Sequence, residues 1–333
     1  MRMFTSLFFL SQLRLNLALM VGLLGILPTA MAQQPYPNKP VRVVVPFQAG
    51  QGTDLIARLV AQNLGAALGQ NFFVDNKPGA AGILGAQLVK NAAPDGYTLL
   101  VAGGGPLAIN PSLYTKLPYD PLKDFEPVAL IAAVPNILVV RADFPANNLK
   151  ELIAQVHNNP GKFNYGSSGN GVPNHLIMEL LKNAADLNIA HIPFAGAGPS
   201  LTALINGDIA MMFETAASAM PHVKSGRLKV IANAAGRRSV SLPDVPTIAE
   251  GGYPGFAAQG WSAIVAPTGT PPQVLRSLHA ETAAMLKRPD VRDRLIGLST
   301  DPMDLSLEET SAYMKAQVVQ WARAVKLSGA RAD

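Results

Sequence analysis

No cysteine occurs anywhere in the 333-residue sequence. That excludes disulfides, thiolate metal ligation, thiol nucleophiles and any cysteine-linked lipid. Charge is sparse as well: Asp, Glu, Lys and Arg make up 15% of the residues, and aromatics 6%. The basic residues are scattered and not interleaved with aromatics, so nothing marks a nucleic-acid surface. None of the five histidines, His157, His175, His191, His222 and His279, stands in a clear metal-ligand pattern with another histidine or an acid. No metal and no cofactor is therefore expected. Beyond residue 32 no apolar run reaches the ~20 residues that cross a membrane. A chain of this size without disulfides needs a real hydrophobic core, and two domains are the default.

What is present begins with a leader. Arg2 and Arg14 supply positive charge, Leu17 to Leu27 is unbroken apolar sequence, Pro28 interrupts it, and Ala30-Met31-Ala32 has the small-x-small form of a cleavage site. Residues 1–32 read as a signal peptide cleaved after Ala32. The alternative is an uncleaved anchor, for which the apolar segment is short. Arg2 and Arg14 are too far apart for a twin-arginine signal. Without them, the 27 basic residues become 25 against 22 acidic ones, a nearly balanced chain.

The chain is organised around residues 41–58. Val41 to Val45 is a run of β-branched residues that reads as a buried parallel strand. Pro46 ends it, Gln48 to Gly52 forms a glycine-containing loop, and Thr53 or Asp54 is a candidate N-cap. An apolar stripe at helical spacing follows, from Leu55 and Ile56 to Ala67 and Leu68. Strand, loop and helix in that order leave free backbone N–H groups and the positive end of a helix dipole at the edge of a sheet. An anion can be held there without a cationic side chain. The alternative is an ordinary turn between a strand and a helix.

The same grammar recurs. Asn71–Val74 is a strand, Asn76 to Gly82 a glycine loop and Ile83–Asn91 a helix. Tyr97–Ala102 is a third strand, with Gly103, Gly104 and Gly105 after it. Repetition of this unit argues for a doubly wound α/β sheet with ligands outside the carboxyl ends of its strands. Val128–Val140, broken by Pro135 and Asn136, reads as strands leaving the first domain. A second α/β unit follows. In it Asn148 and Glu151 form a capping box, Asn174 caps a helix, Pro199 takes a first helical position and Gly207 ends that helix. Gly260–Ala266 reads as a strand returning to the first domain. Thr270 and Ser306 then introduce two long helices expected to pack there. Two α/β lobes joined by two crossing segments, near Val134–Val140 and Gln259–Val265, make a cleft that can close on a ligand.

Two motifs have catalytic associations. Gly103-Gly-Gly105-Pro-Leu-Ala108 fits G-x-G-x-x-A formally, but the acids about 20 residues on, Asp120, Asp124 and Glu126, fall in a proline-rich loop. Ser167 and Ser168 lie in a glycine loop near His175, but not at the spacing of a nucleophile elbow. Ser167, Ser168 and Asn170 serve better as hydroxyl and amide partners of a ligand carboxylate. Met211-Met212-Phe213 reads as core. Trp261 is core or cleft lining, and Asp54 a helix cap or a ligand contact.

Taken in order, a series of segments resembles a known family. They include Tyr36-Pro-x-Lys39-Pro-Val-Arg42, the residues from Val45 to Arg58, Asn76-Lys-Pro-Gly-Ala-Ala-Gly82, Pro94-Asp-Gly-Tyr97 and Asn110-Pro-x-Leu-Tyr114. Further on come Tyr165-Gly-Ser-Ser-Gly169, Pro193-Phe-x-Gly196, Leu242-Pro-Asp-Val-Pro-Thr247 and Trp261 before Ala266-Pro-x-Gly-Thr-Pro271. Together they are similar to the extracytoplasmic receptors of the tripartite tricarboxylate transporter family, the Bug receptors.

The resemblance implies a type II periplasmic-binding-protein fold. Lobe 1 would be residues 33–139 with 262–333, and lobe 2 residues 140–261. It implies a monomeric, non-enzymatic periplasmic protein that delivers a small organic acid to a membrane permease. One carboxylate would be held by the loop Phe47, Gln48, Ala49, Gly50, Gln51, Gly52, Thr53 and Asp54, with Gly104 nearby. The other end would meet Ser167, Ser168, Asn170, Gly171, Phe194, Ala195 and Gly196. Two departures stand out: Gln51 replaces an expected glycine, and Phe194-Ala195-Gly196 stands where Tyr-Lys-Gly is frequent. Both argue for a less charged or bulkier, partly apolar acid. The rival expectations are a sensor feeding a membrane kinase and an α/β hydrolase.

Overall fold

The computed structural model describes residues 36–332. The expected signal peptide and its cleavage after Ala32 lie outside the described residues. The strands are β1 (Val41–Val45), β2 (Phe72–Asn76), β3 (Thr98–Gly103), β4 (Phe125–Val134), β5 (Asn136–Arg141), β6 (Asn164–Ser167), β7 (Ala190–Pro193), β8 (Met211–Thr215), β9 (Leu228–Asn233), β10 (Gly260–Pro267) and β11 (Asp301–Pro302). The helices are α1 (Gly52–Leu68), α2 (Ile83–Lys90), α3 (Asn110–Leu113), α4 (Leu149–His157), α5 (Pro173–Ala185), α6 (Ala197–Asn206), α7 (Ala216–Lys224), α8 (Pro272–Lys287), α9 (Pro289–Gly297) and α10 (Leu307–Ser328). A π-helical turn, Gly105–Ile109, runs directly into α3.

Two mixed sheets result, ordered β11-β4-β10-β3-β1-β2 and β7-β6-β8-β5-β9. β1 lies parallel to β2 and β3, and β10 is inserted antiparallel between β3 and β4. In the second sheet β6 runs parallel to β7 and β8, while β5 runs antiparallel between β8 and β9. The valines of β1 are buried throughout, as a strand covered on both faces requires. Its one polar residue, Arg42, places Nε 2.7 Å from Asp75 on β2.

The chain changes sheet at Pro135, which has no N–H to continue the β4 ladder. Residues 136–139 consequently pair in the second sheet, a few residues before the expected lobe boundary. The return falls at Gly260, and Trp261 already pairs in the first sheet. Of the C-terminal helices, α8 packs on β4 and α1. Helix α10 does more than expected: besides β4 and α3 of the first half it packs on α5 of the second. Its buried face, Met314, Trp321, Ala324 and Val325, belongs to a core that runs through both halves.

Several helix starts differ from the sequence expectation. α1 begins at Gly52 with Gln51 at its cap position, so Thr53 and Asp54 sit in the first turn. Leu55 is exposed and the buried stripe starts at Ile56. Val172, not Asn174, occupies the cap position of α5, because Pro173 fits the first helical place. α6 starts at Ala197 rather than Pro199, since Gly196 turns the chain at a φ of +118°. The box at Ser306 and Glu309 forms as expected.

Candidate ligand-binding site

A cavity of about 390 Å³ lies where the two sheets face each other, within the range of small-molecule sites. The first half supplies Phe47, Thr53, Ala81, Gly103–Gly105, Ile109, Leu113, Tyr114, Trp261, Ser262 and Trp321 to its walls. The second supplies Asn136, Asn170, Gly171, Val172, Pro173 and Thr215. No residue of the lining is charged. Helix starts replace charge: Thr53 opens α1, Gly105 opens the π turn into α3, Gly171–Pro173 lead into α5, and Thr215 caps α7. Their dipoles bring partial positive potential to the cavity from both sides.

The loop after β1 is shaped by Asp54. Its side chain is 1% exposed and takes hydrogen bonds from the Gly50 N–H at 2.8 Å, Arg58 Nε at 2.9 Å and Asn76 Nδ2 at 2.9 Å. Asn76 also donates to the Phe47 carbonyl at 3.0 Å, so both ends of the loop are tied to one carboxylate. Burial works to raise the Asp54 pKa, but the bonds from Arg58, Gly50 and Asn76 outweigh it and hold it below the usual range. Asp54 thus supports the loop from behind rather than capping α1. The N–H groups of Gly52 and Thr53 have no partner among the described residues. Of the expected loop contacts, Phe47 and Thr53 line the cavity. Gln48, Ala49, Gly50, Gln51 and Gly52 are exposed and do not line it.

Gly103 is required by the backbone of Trp261, and Gly104 sits tightly against its indole. A Cβ on Gly103 would stand 2.4 Å from the Trp261 carbonyl oxygen, and one on Gly104 would stand 3.3 Å from Trp261 Nε1. Both indole N–H groups, Trp261 and Trp321, donate to Gln317 Oε1 at 3.0 Å. Trp261 is therefore at once core and cavity wall.

In the second half the expected hydroxyls are engaged internally. Ser167 is fully buried, with Oγ 2.8 Å from the Gly169 carbonyl and 2.6 Å from His191 Nε2. Ser168 Oγ donates to Glu214 at 3.3 Å and accepts from Asn174 Nδ2 at 2.8 Å. Asn170 and Gly171 do line the cavity; Phe194, Ala195 and Gly196 do not. Phe194 packs instead against the smaller core cluster of the second sheet.

Behind Gly171 lies a stack of rings. His175 and His191 are parallel, with centroids 4.0 Å apart, and Tyr165 stacks on His191 at 4.8 Å. His175 Nδ1 accepts the Gly171 N–H at 3.0 Å, which requires an unprotonated Nδ1. Burial, aided by His191, pushes the His175 pKa down to about 4.

Sequence reasoning missed Trp321, Asn136 and Thr215. Thr215 carried a readable signal, a cap-type residue at the carboxyl end of a strand with Ser218 three positions on. Trp321 carried none, because its place depends on how α10 docks. A larger groove of about 1070 Å³ between α5, residues 252–258 and α10 brings no helix start to its walls.

Residues 56–329 match the family described as the tripartite tricarboxylate transporter family receptor. The protein BugT of Bordetella pertussis is 33% identical over 324 residues, covering 95% of this chain and 99% of the relative. Among solved structures, the Rhodopseudomonas palustris protein Rpa4515 with adipate is 33% identical, with a TM-score of 0.77 over 88% of this chain and 98% of that one. MatC from the same organism, with bound malate, is 35% identical, with a TM-score of 0.72 over 87% of this chain and all of that one, 100%.

Proposed function

Because the chain belongs to the tripartite tricarboxylate transporter receptor family, we propose that it is an exported, non-catalytic receptor that closes its two lobes on a small organic carboxylate and hands it to a membrane permease. The lobes are residues 33–139 with 262–333, and 140–261, adjusted so that the crossings fall at Pro135 and Gly260. The protein acts in the periplasm as a monomer after cleavage behind Ala32. The observation that carries this reading is the uncharged cavity between the sheets, onto which helix starts from both halves converge. There the open amides of Gly52 and Thr53 bind a carboxylate by hydrogen bonds and by the dipole of α1.

Among the described residues, Ser167 and His191 are the nearest approach to a nucleophile and base. Ser167 is buried outside the cavity lining and is also within hydrogen-bonding distance of the Gly169 carbonyl, so the pair serves to fold the loop. A thermal-shift screen with mono-, di- and tricarboxylates tests the receptor reading. A ligand at 100 times its Kd stabilises the fold by about 2.7 kcal/mol. Turnover of esters or amides, or no stabilisation by any carboxylate, would contradict it.

A further inference from the structure

The two walls of the cavity are not equivalent, and the difference bears on what the ligand carries at its far end. On the first wall the Thr53 amide is open, as is that of the exposed Gly52 next to it. On the second, the amides of two lining residues are already bound within the protein: Gly171 to His175 Nδ1 at 3.0 Å and Thr215 to Glu214 Oε1 at 2.8 Å.

Glu214 is what engages Thr215. It is 4% exposed, lies directly behind Thr215, and takes further hydrogen bonds from Asn174 Nδ2 at 3.2 Å and Ser168 Oγ at 3.3 Å. The Thr215 N–H and Asn174 Nδ2 can only donate, which suits a carboxylate, and none of the partners is cationic; burial raises the Glu214 pKa while these bonds work to lower it. The protein's own carboxylate therefore occupies the position beside the starts of α5 and α7 that a ligand anion would otherwise use. A second ligand carboxylate would meet, across a low-dielectric wall, the charge of Glu214, which hydrogen bonds but no cation offset. The remaining surface is mostly apolar, with Phe47, Leu113, Trp261 and Trp321, both indole N–H groups committed to Gln317; its other polar residues, Asn110, Tyr114, Asn136 and Ser262, are all neutral. The exposed Asn170 side chain adds a neutral hydrogen-bonding group.

We propose that this receptor selects monocarboxylates whose distal part is apolar or neutral, aromatic acids included, over dicarboxylates, with Glu214 as the residue that excludes the second charge. This rests on the receptor reading above and narrows its ligand class. The test is calorimetric titration of the protein with 3-phenylpropanoate and benzoate against adipate and malate. The expected result is at least tenfold tighter binding of one of the aromatic monocarboxylates than of either dicarboxylate. Glu214→Gln, which removes the charge and keeps the shape, is expected to narrow that ratio at least threefold; an unchanged ratio removes Glu214 from the account. Adipate or malate binding as tightly as the monocarboxylates overturns the proposal and leaves the receptor reading standing. Binding by none of the four also overturns the proposal, while the receptor reading stands or falls on the wider carboxylate screen. Should Glu214→Gln fail to fold, the ratio in the unaltered protein decides.

Discussion

At the scale of single residues, the loop after β1 depends on one buried carboxylate. Asp54 gathers the Gly50 amide, Asn76 and Arg58, and so holds the turn from which the Thr53 N–H points. Asp54→Ala removes the acceptor of the Gly50 N–H and one of the two acceptors of Asn76 Nδ2, at about 0.5–1.5 kcal/mol for each hydrogen bond lost. A lower midpoint in urea, together with weakened carboxylate binding, is the expected outcome; an unchanged midpoint would show that water replaces Asp54 without loss. Because the Asp54 pKa is depressed, its contribution is complete above the unfolded value near 3.8 and is lost as pH falls through the folded one. The residues 41–58 were legible as strand, loop and helix, since β-branched runs, glycine and helical spacing are local signals. The role of Asp54 was not. Its partner Asn76 comes from the end of β2, and only the parallel pairing of β1 with β2 brings the two together.

At the scale of elements, the ring stack of Tyr165, His191 and His175 sets the position of the Gly171 turn. Its surroundings are Glu179, which accepts from the Tyr165 hydroxyl, and Lys182, which pairs with Glu179 at 2.7 Å. The folded His175 has its pKa lowered to about 4 from 6.5, so the unfolded chain takes up the proton first. Its contribution to stability is thus complete above about pH 6.5 and is lost as pH falls toward 4. His175→Asn keeps an acceptor for the Gly171 N–H but cannot titrate. Melting curves between pH 7 and 4 are expected to fall more steeply for the unaltered protein than for this variant. Parallel curves would assign the acid sensitivity to other groups. Here the sequence spoke only in part. The loop Gly166–Pro173 was recognisable as a ligand-facing element, yet its serines turned out to bond inward. Which way a hydroxyl points is decided by the neighbours it finds, here His191 and Glu214, which lie 24 and 46 residues away along the chain.

At the scale of the whole molecule, two sheets exchange strands at Pro135 and Gly260, and α10 fastens both halves along one side. The seam between them is tight: a Cβ on Gly171 would come within 2.6 Å of Leu113 Cδ1 from the opposite half. The two-lobed architecture could be read from the order of strand, loop and helix units and from the prolines between them. The place of Trp321 in the cavity could not, because it follows from the docking of α10. The central claim is that peptide amides at the start of α1, facing this seam, hold the ligand's carboxylate. Its most direct test is a calorimetric titration of Thr53→Pro with the tightest-binding acid from the carboxylate screen. Proline fits the first turn of a helix but lacks the N–H. The account predicts at least tenfold weaker binding with the melting temperature within a few degrees of the unaltered protein. Undiminished affinity in a folded Thr53→Pro protein would contradict it.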